Sequence, residues 1–104
     1  MEISKYALAE IYNFEKNYEI ALKFLDSIDE NSFFSLAANL KKLSILKSSD
    51  MERDYKTLLF KIINKWPENK FVLYRLASYY KSIAQYHSSL KIYKKIFDHY
   101  DSND

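Results

Sequence analysis

The sequence predicts an all-α protein in which six helices form three antiparallel pairs. Three observations support this prediction. Apolar residues recur at intervals of three and four, as they do on one face of a helix. Similar residues return with a period of 34 positions along the chain. The 104 residues include no glycine and a single proline, so few positions interrupt a helix.

The 34-residue period is clearest between the first and last thirds of the chain. A shift by two periods brings eight identical pairs into register. They are Tyr6 and Tyr74, Leu8 and Leu76, Ala9 and Ala77, Tyr12 and Tyr80, Tyr18 and Tyr86, Leu22 and Leu90, Lys23 and Lys91, and Ile28 and Ile96. We therefore divide one predicted domain, residues 1–104, into repeats at about 2–35, 36–69 and 70–103.

Polar turn formers mark the ends of the predicted helices. Residues 16–17 separate the first two helices, and residues 29–32 separate the first repeat from the second. Ser49-Asp50-Met51-Glu52 is interpreted as a capping box that opens the fourth helix. Trp66-Pro67-Glu68-Asn69 ends that helix before the fifth begins.

The absence of glycine excludes several kinds of site and shifts the turns onto other residues. A phosphate-binding loop and a dinucleotide fingerprint need glycine for close backbone approach to the ligand, so neither is expected. A nucleophile elbow is excluded for the same reason. Asparagine tolerates the left-handed conformation well, so the turns are predicted to place Asn17, Asn31 and Asn69 in it.

The middle repeat departs from the pattern of its neighbours. Strict register puts Leu43 and Tyr55 at positions where the other repeats have small residues. Moving the first helix of this repeat by one residue aligns Ser44 with those small residues instead. The sequence therefore suggests a one-residue slip, compensated in the turn at 47–50, although Tyr55 fits neither register.

Composition narrows the function classes further. The lack of cysteine excludes disulfides, thiolate metal sites and a cysteine nucleophile. A net charge of +2, from 16 basic and 14 acidic residues, argues against a nucleic-acid partner. No apolar run approaches the roughly 20 residues of a membrane span, and no signal peptide is recognised. We expect a soluble chain without membrane insertion, in a compartment that the sequence does not specify.

Catalytic chemistry finds little support in the sequence. His87 and His99 are the two histidines, and 12 residues of helix between them amount to about 18 Å of rise, too far to share a metal. Neighbouring carboxylates such as Glu15 and Glu19 are typical of a solvated helix face. We expect no enzyme activity, no catalytic residue, no metal and no cofactor.

The pattern within each helix pair resembles the tetratricopeptide repeat family. In the third repeat the first helix reads Leu73-Tyr74-Arg75-Leu76-Ala77-Ser78-Tyr79-Tyr80, and the second runs from Tyr86 through Ser89 and Leu90 to Ile96. In the first repeat the same roles fall to Leu8, Ala9, Tyr12, Tyr18, Ala21, Leu25 and Ile28. Lys5, however, stands where the family prefers a large aromatic residue. The resemblance implies a right-handed superhelical solenoid of three helix pairs.

The resemblance also implies a concave groove lined by the first helix of each pair, where a peptide or helix of a partner protein would bind. Tyr6 and Tyr74 would act as aromatic anchors, and Lys47 and Lys81 would meet an acidic group. The alternative is that the apolar residues only pack against neighbouring helices. The expected groove residues are Ile3, Tyr6, Glu10, Asn13, Phe14, Ala37, Leu40, Ser44, Lys47, Phe71, Tyr74, Arg75, Ser78 and Lys81.

One specialised partner is not expected. Chaperone-binding members of the family hold a C-terminal carboxylate in a clamp of Lys, Asn, Asn, Lys and Arg. The corresponding positions hold Tyr6, Glu10, Lys41, Phe71 and Arg75. Arg75 matches and Lys41 is at least basic, whereas Glu10 carries the wrong sign. We therefore expect no carboxylate clamp for a chaperone tail.

The last helix carries more apolar surface than its partner helix is expected to cover. Its candidate oligomer or next-repeat face consists of Ile92, Tyr93, Ile96, Phe97 and Tyr100, continued by Tyr86 and Leu90. Three explanations stand: the chain is part of a longer array, two copies form a homodimer through this helix, or a partner docks on it. Residues 1–35 hold 3 basic and 7 acidic residues, and residues 70–104 hold 6 and 3, so head-to-tail association is a further alternative.

These observations predict a non-catalytic protein-interaction module that belongs to a longer protein or assembly. The partner is expected to be a protein or peptide segment bound in the groove. The alternative function is that of a structural self-assembly unit, whose faces serve oligomerisation within a larger complex.

Overall fold

A computed structural model describes residues 1–101, and its regular structure over these residues is helical, without strands. The six α-helices of this part are α1 (Glu2–Phe14), α2 (Tyr18–Asp26), α3 (Ser35–Ser48), α4 (Glu52–Lys65), α5 (Lys70–Ser82) and α6 (Tyr86–Ile96). A π-helical turn, Phe97–Asp101, directly follows α6. The prediction of an all-α chain with six helices is confirmed. The end of the third predicted repeat, residues 102–103, lies outside the described residues.

The helices belong to two compact units. The first, Met1–Leu58, contains α1, α2, α3 and the beginning of α4, and α2 packs against both α1 and α3. The second begins at Leu59 and contains the end of α4 together with α5 and α6, which pack against each other. Because only three residues separate α1 from α2, these neighbours are antiparallel, as are α5 and α6.

Small residues line the contact between paired helices. Ala9 of α1 and Ala21 of α2 are fully buried in one apolar cluster of the first unit. Ala77 and Ser89 hold the same places in α5 and α6 and are also buried. The Ser89 hydroxyl donates a hydrogen bond of 2.8 Å to the carbonyl of Ala77, so its burial leaves no unsatisfied polar group. The lack of large side chains at these positions allows close helix packing.

The turn inside each helix pair is closed by a residue with left-handed backbone. These residues are Lys16 (φ 63°), Asp50 (φ 58°) and Ala84 (φ 62°), spaced 34 positions apart. The amide that follows each of them donates to the carbonyl five residues earlier. These bonds join Asn17 to Tyr12 (2.8 Å), Met51 to Leu46 (2.9 Å) and Gln85 to Tyr80 (2.8 Å). This is the Schellman arrangement, which satisfies the last carbonyls of a helix.

The prediction that asparagines take the left-handed conformation is wrong. Asn17 lies one residue after the left-handed position and immediately precedes α2. Asn69 is extended (φ −75°, ψ 127°), and its side chain accepts hydrogen bonds from the amides of Phe71 (2.9 Å) and Val72 (3.1 Å). Asn31 is not among the residues with positive φ in the described part. Asn69 thus serves as the N-cap of α5, whereas Asn17 precedes α2 without a side-chain capping bond.

The predicted slip in the middle repeat is also wrong. The left-handed residue and the closing hydrogen bond of the α3–α4 turn occur at the same positions as in the other two turns. Leu43 is fully buried, as Ala9 and Ala77 are, and Tyr55 is 9 % exposed at the position of Ala21. The backbone of the turn therefore keeps the 34-residue register, and the middle repeat buries larger side chains in it.

Ser49 does not form the predicted capping box. Its hydroxyl donates to the carbonyls of Ile45 (2.8 Å) and Leu46 (3.3 Å), so it bonds to the end of α3. Because the left-handed Asp50 and then Met51 intervene, α4 begins only at Glu52. Ser49 lies three positions before that start, beyond the single flanking position from which a side chain caps a helix.

Lys5, the departure from the family pattern, joins the start of α1 to the end of α2. Its ammonium donates to the carbonyl of Ser27 (3.0 Å) and pairs with Glu2 (3.1 Å). Glu2 in turn accepts a hydrogen bond of 2.7 Å from the amide of Asp29. A cation at a helix C-terminus interacts favourably with the helix dipole, so polar contacts replace the aromatic packing expected at this position.

Replacing the left-handed alanine should stabilise the chain. Ala84→Gly removes the steric conflict of Cβ at positive φ, and we expect the free energy of unfolding to rise by about 0.5–1 kcal/mol. The matched control is Ala37→Gly on the exposed side of α3, where glycine should cost about 1 kcal/mol. Urea unfolding followed by circular dichroism measures both. Equal destabilisation of the two variants would contradict the assignment of strain to Ala84.

The Glu2 contacts should make stability depend on acidity. The Asp29 amide, and then Lys5, lower the pKa of Glu2 below 4.5. A carboxylate with a depressed pKa stabilises the folded state above its unfolded pKa and loses this effect as pH falls through its folded pKa. We therefore expect Glu2→Gln to lower the melting temperature near pH 7 and to have a smaller effect near pH 3. Glu15→Gln removes an exposed carboxylate at the C-cap of α1 and serves as the charge-matched control.

Candidate interaction faces

In the first unit, α1 and α3 are each the first helix of a pair. They contact each other through a cluster around Lys41. The Lys41 ammonium lies 3.4 Å from a carboxylate oxygen of Glu10 and 5.9 Å from the ring centroid of Tyr6. Both α1 residues belong to the predicted groove, whereas Lys41 is not among the residues predicted to line it. The structure therefore adds Lys41 to this part of the face.

The Lys41 cluster is partly shielded from water. The side chain of Lys41 is 25 % exposed and that of Glu10 is 51 % exposed. A lysine above a tyrosine ring gains a cation–π attraction, and the nearby carboxylate compensates the charge. At this point the face therefore consists of an aromatic surface beside an ion pair whose charges compensate each other. A site for an acidic ligand would instead present an uncompensated positive charge.

The other predicted groove residues of the first unit differ in exposure. Ile3 and Phe14 of α1 are exposed, and Asn13 is half-buried. On α3, Leu40 is half-buried, and Ala37 and Lys47 are exposed. The Ser44 hydroxyl donates to the carbonyl of Leu40 (3.3 Å) within its own helix. This hydrogen bond runs from residue i to residue i−4, so the Ser44 side chain is bonded to the backbone of its own helix.

The predicted groove residues of the second unit lie on α5. Phe71 is exposed near the start of the helix, and Lys81 is exposed near its end. Arg75 and Ser78 between them are half-buried. Tyr74 packs edge-on against Tyr93 of α6, with 5.9 Å between ring centroids, and still exposes part of its surface. Tyr74 therefore combines a packing contact with an accessible surface, whereas the sequence offered these as alternatives.

The candidate oligomer face on α6 is only partly exposed. Phe97 and Tyr100 are exposed, and the Tyr100 hydroxyl donates to the carbonyl of Glu68. Ile92 and Tyr93 are half-buried. Ile96 is buried within the second unit, at 1 % exposure, and so does not belong to this face. Its helical position places it beside the stripe, on the side that packs against the unit's own core.

The histidines and neighbouring carboxylates named in the sequence analysis lie on the surface. His87 and His99 are exposed, and so are Glu15 and Glu19. Within residues 1–101, no group of three or more histidines and carboxylates is arranged to hold a metal ion. The helices described in this range also lack the combination of length and apolar character needed to cross a membrane.

No protein-family model, no curated protein and no solved structure matches this chain.

Proposed function

We propose that this chain is a non-catalytic protein-binding module of the tetratricopeptide repeat type, in which the first helix of each pair contacts a peptide or helix of a partner protein. The proposal includes a right-handed superhelical arrangement of the pairs, with the first-helix faces lining one concave groove. The 34-residue spacing of the three turns supports it, since equal turns present equivalent positions of successive helices.

One observation carries the binding proposal: large apolar side chains are exposed on the first helices of both units. Ile3 is 56 % exposed and Phe71 is 61 % exposed, and Phe14 is exposed still further. All three were predicted from the sequence as groove residues. An apolar patch at a protein surface is typical of an interaction site, and aromatic residues are enriched among the side chains that anchor a partner.

The mechanism is presentation of a rigid surface. The helices hold Tyr6 and Tyr74 in place through neighbouring side chains, so these anchors lose little freedom when a partner binds. Lys47 and Lys81 occupy equivalent positions 34 residues apart near the ends of α3 and α5, and both are exposed. An apolar partner segment with acidic residues at one end fits this distribution.

Self-assembly is the second candidate function. Tyr86 and Leu90 of α6, and Phe97 directly after it, favour this function because they are exposed and lie outside the proposed groove. This candidate makes no use of the first-helix anchors, so variants on the two surfaces distinguish it from peptide binding.

Selection from a display library of peptides of about 15 residues tests the binding proposal. We expect selected peptides to perturb amide resonances of α1, α3 and α5 in NMR titrations. Ile3→Ser and Phe71→Ser should each weaken binding by about tenfold or more, because each removes an exposed anchor. Ile20→Ser, an equally simple change on α2, is the control and should leave affinity unchanged. A library without binders, or shifts confined to α2, α4 and α6, would reject the groove.

A second prediction concerns acidic C-terminal tails of chaperones. We expect a synthetic peptide that ends in such a tail to bind no more tightly than about 1 mM, since Glu10 compensates Lys41 at the clamp position. Isothermal titration calorimetry measures this directly. Micromolar affinity that disappears in Arg75→Ala would show that a clamp operates after all.

A further inference from the structure

The predicted groove contains a single carboxylate, Glu10, and the structure pairs it with a lysine of the neighbouring first helix. The Lys41 ammonium of α3 lies 3.4 Å from Oε2 of Glu10 in α1. Glu10 is the one acidic residue among those predicted to line the groove. The equivalent positions of the other two repeats hold Ser44 and Ser78. The carboxylate at this position is therefore specific to the first repeat.

Lys41 is held in place by a second contact that does not involve Glu10. Its ammonium lies 5.9 Å from the ring centroid of Tyr6 in α1, and its side chain is 25 % exposed. A lysine at this distance is attracted by the ring itself. We therefore expect the positive charge to stay at this point of the face when Glu10 is replaced by a neutral residue.

The Glu10 carboxylate makes this point of the face unfavourable for a second carboxylate. The side chain of Glu10 is 51 % exposed, so a bound partner segment would lie close to its charge. An incoming carboxylate would meet a lysine that is already compensated, and it would be repelled by Glu10. An uncharged side chain meets no such repulsion and can pack on the ring of Tyr6.

Lys47, on the same helix as Lys41, lacks this compensation. It is exposed, and none of the ion pairs within residues 1–101 involves it. Six residues of helix separate the two lysines, which amounts to about 9 Å of rise. An acidic residue of a partner would thus be attracted at Lys47 and repelled at Glu10. Two nearby points of one face accept different partner side chains.

We propose that Glu10 is a specificity-determining residue of the groove. By compensating Lys41, it rejects partner segments that bring a carboxylate to this point and accepts segments that bring an uncharged side chain. This inference rests on the proposed function, because it requires a segment that binds along the first helices. It assigns to the partner an uncharged residue over Tyr6 and Lys41, and it directs acidic residues toward Lys47.

A glutamate scan of a bound peptide tests the proposal. The probe is the peptide with the highest affinity among those selected from the display library on the wild-type chain. Each of its positions is replaced by glutamate in turn, and fluorescence polarisation gives the Kd for the wild type and for Glu10→Gln. At one position we expect glutamate to weaken binding to the wild type by about fivefold or more. The same peptide should bind Glu10→Gln at least as tightly as the parent peptide does.

Two further variants show whether Lys41 receives the added carboxylate. The double variant Glu10→Gln/Lys41→Met should lose the recovered affinity by about fivefold, because no cation remains at this point. Glu15→Gln removes the same charge from the end of α1, outside the predicted groove, and should behave like the wild type at every scanned position. If circular dichroism shows that Glu10→Gln has lost helix, Glu10→Ser replaces it, since the other two repeats have serine at this position.

The contrary outcomes separate this inference from the proposed function. Equal losses for the wild type and Glu10→Gln at every position, with a peptide that shifts amides of α1 and α3, would overturn the role of Glu10 and leave the groove intact. Full recovery in the double variant would also overturn it, because Lys41 would then not be the group that binds the carboxylate. A library without binders, or a peptide whose NMR shifts avoid α1 and α3, would reject the groove of the first unit and this inference with it.

Discussion

The backbone geometry of three equivalent turns is the constraint on which the rest of this structure depends. Each turn places a left-handed residue after the first helix and closes it with an amide that reaches the carbonyl five residues earlier. Because the turns are 34 residues apart, equivalent positions return at the same place in each pair. The middle repeat buries Leu43 and Tyr55 where its neighbours have small residues, yet the turn is unchanged. In this protein the helix pairs bury side chains of different volume, while the geometry of the turns stays the same.

Much of the fold could be predicted from the sequence, because helix periodicity and repeat length are properties of residue spacing. The residues with positive φ could not be predicted in this way. Asparagine has the highest intrinsic preference for the left-handed conformation after glycine, but the position in the turn decides which residue adopts it. Lys16 and Ala84 take the left-handed conformation because each directly follows the C-cap residue of its helix, and Asn17 lies one position too late. Lys5 shows a similar limit: its contact with the Ser27 carbonyl depends on where α2 ends relative to α1.

For the proposed groove, the sequence pointed to some side chains that the structure exposes, but it missed the contacts between helices. Ile3 and Phe71 are two of these exposed side chains. The Lys41 cluster joins α1 and α3, and the contact between these helices depends on tertiary packing. In the sequence, only the opposite charges of Lys41 and Glu10 indicated this contact. Ile96 was placed on an outer face by sequence, whereas the structure buries it. A helical stripe gives angular position, and burial depends on which neighbour covers that side.

The three left-handed residues also bear on the unfolded chain. A glycine at these positions would fold with less steric conflict, but it would also widen the range of conformations open to the chain before folding. Lysine, aspartate and alanine restrict that range, and so does the absence of glycine elsewhere. The molecule thus combines local steric conflict in its folded turns with a smaller loss of backbone entropy when each hairpin forms.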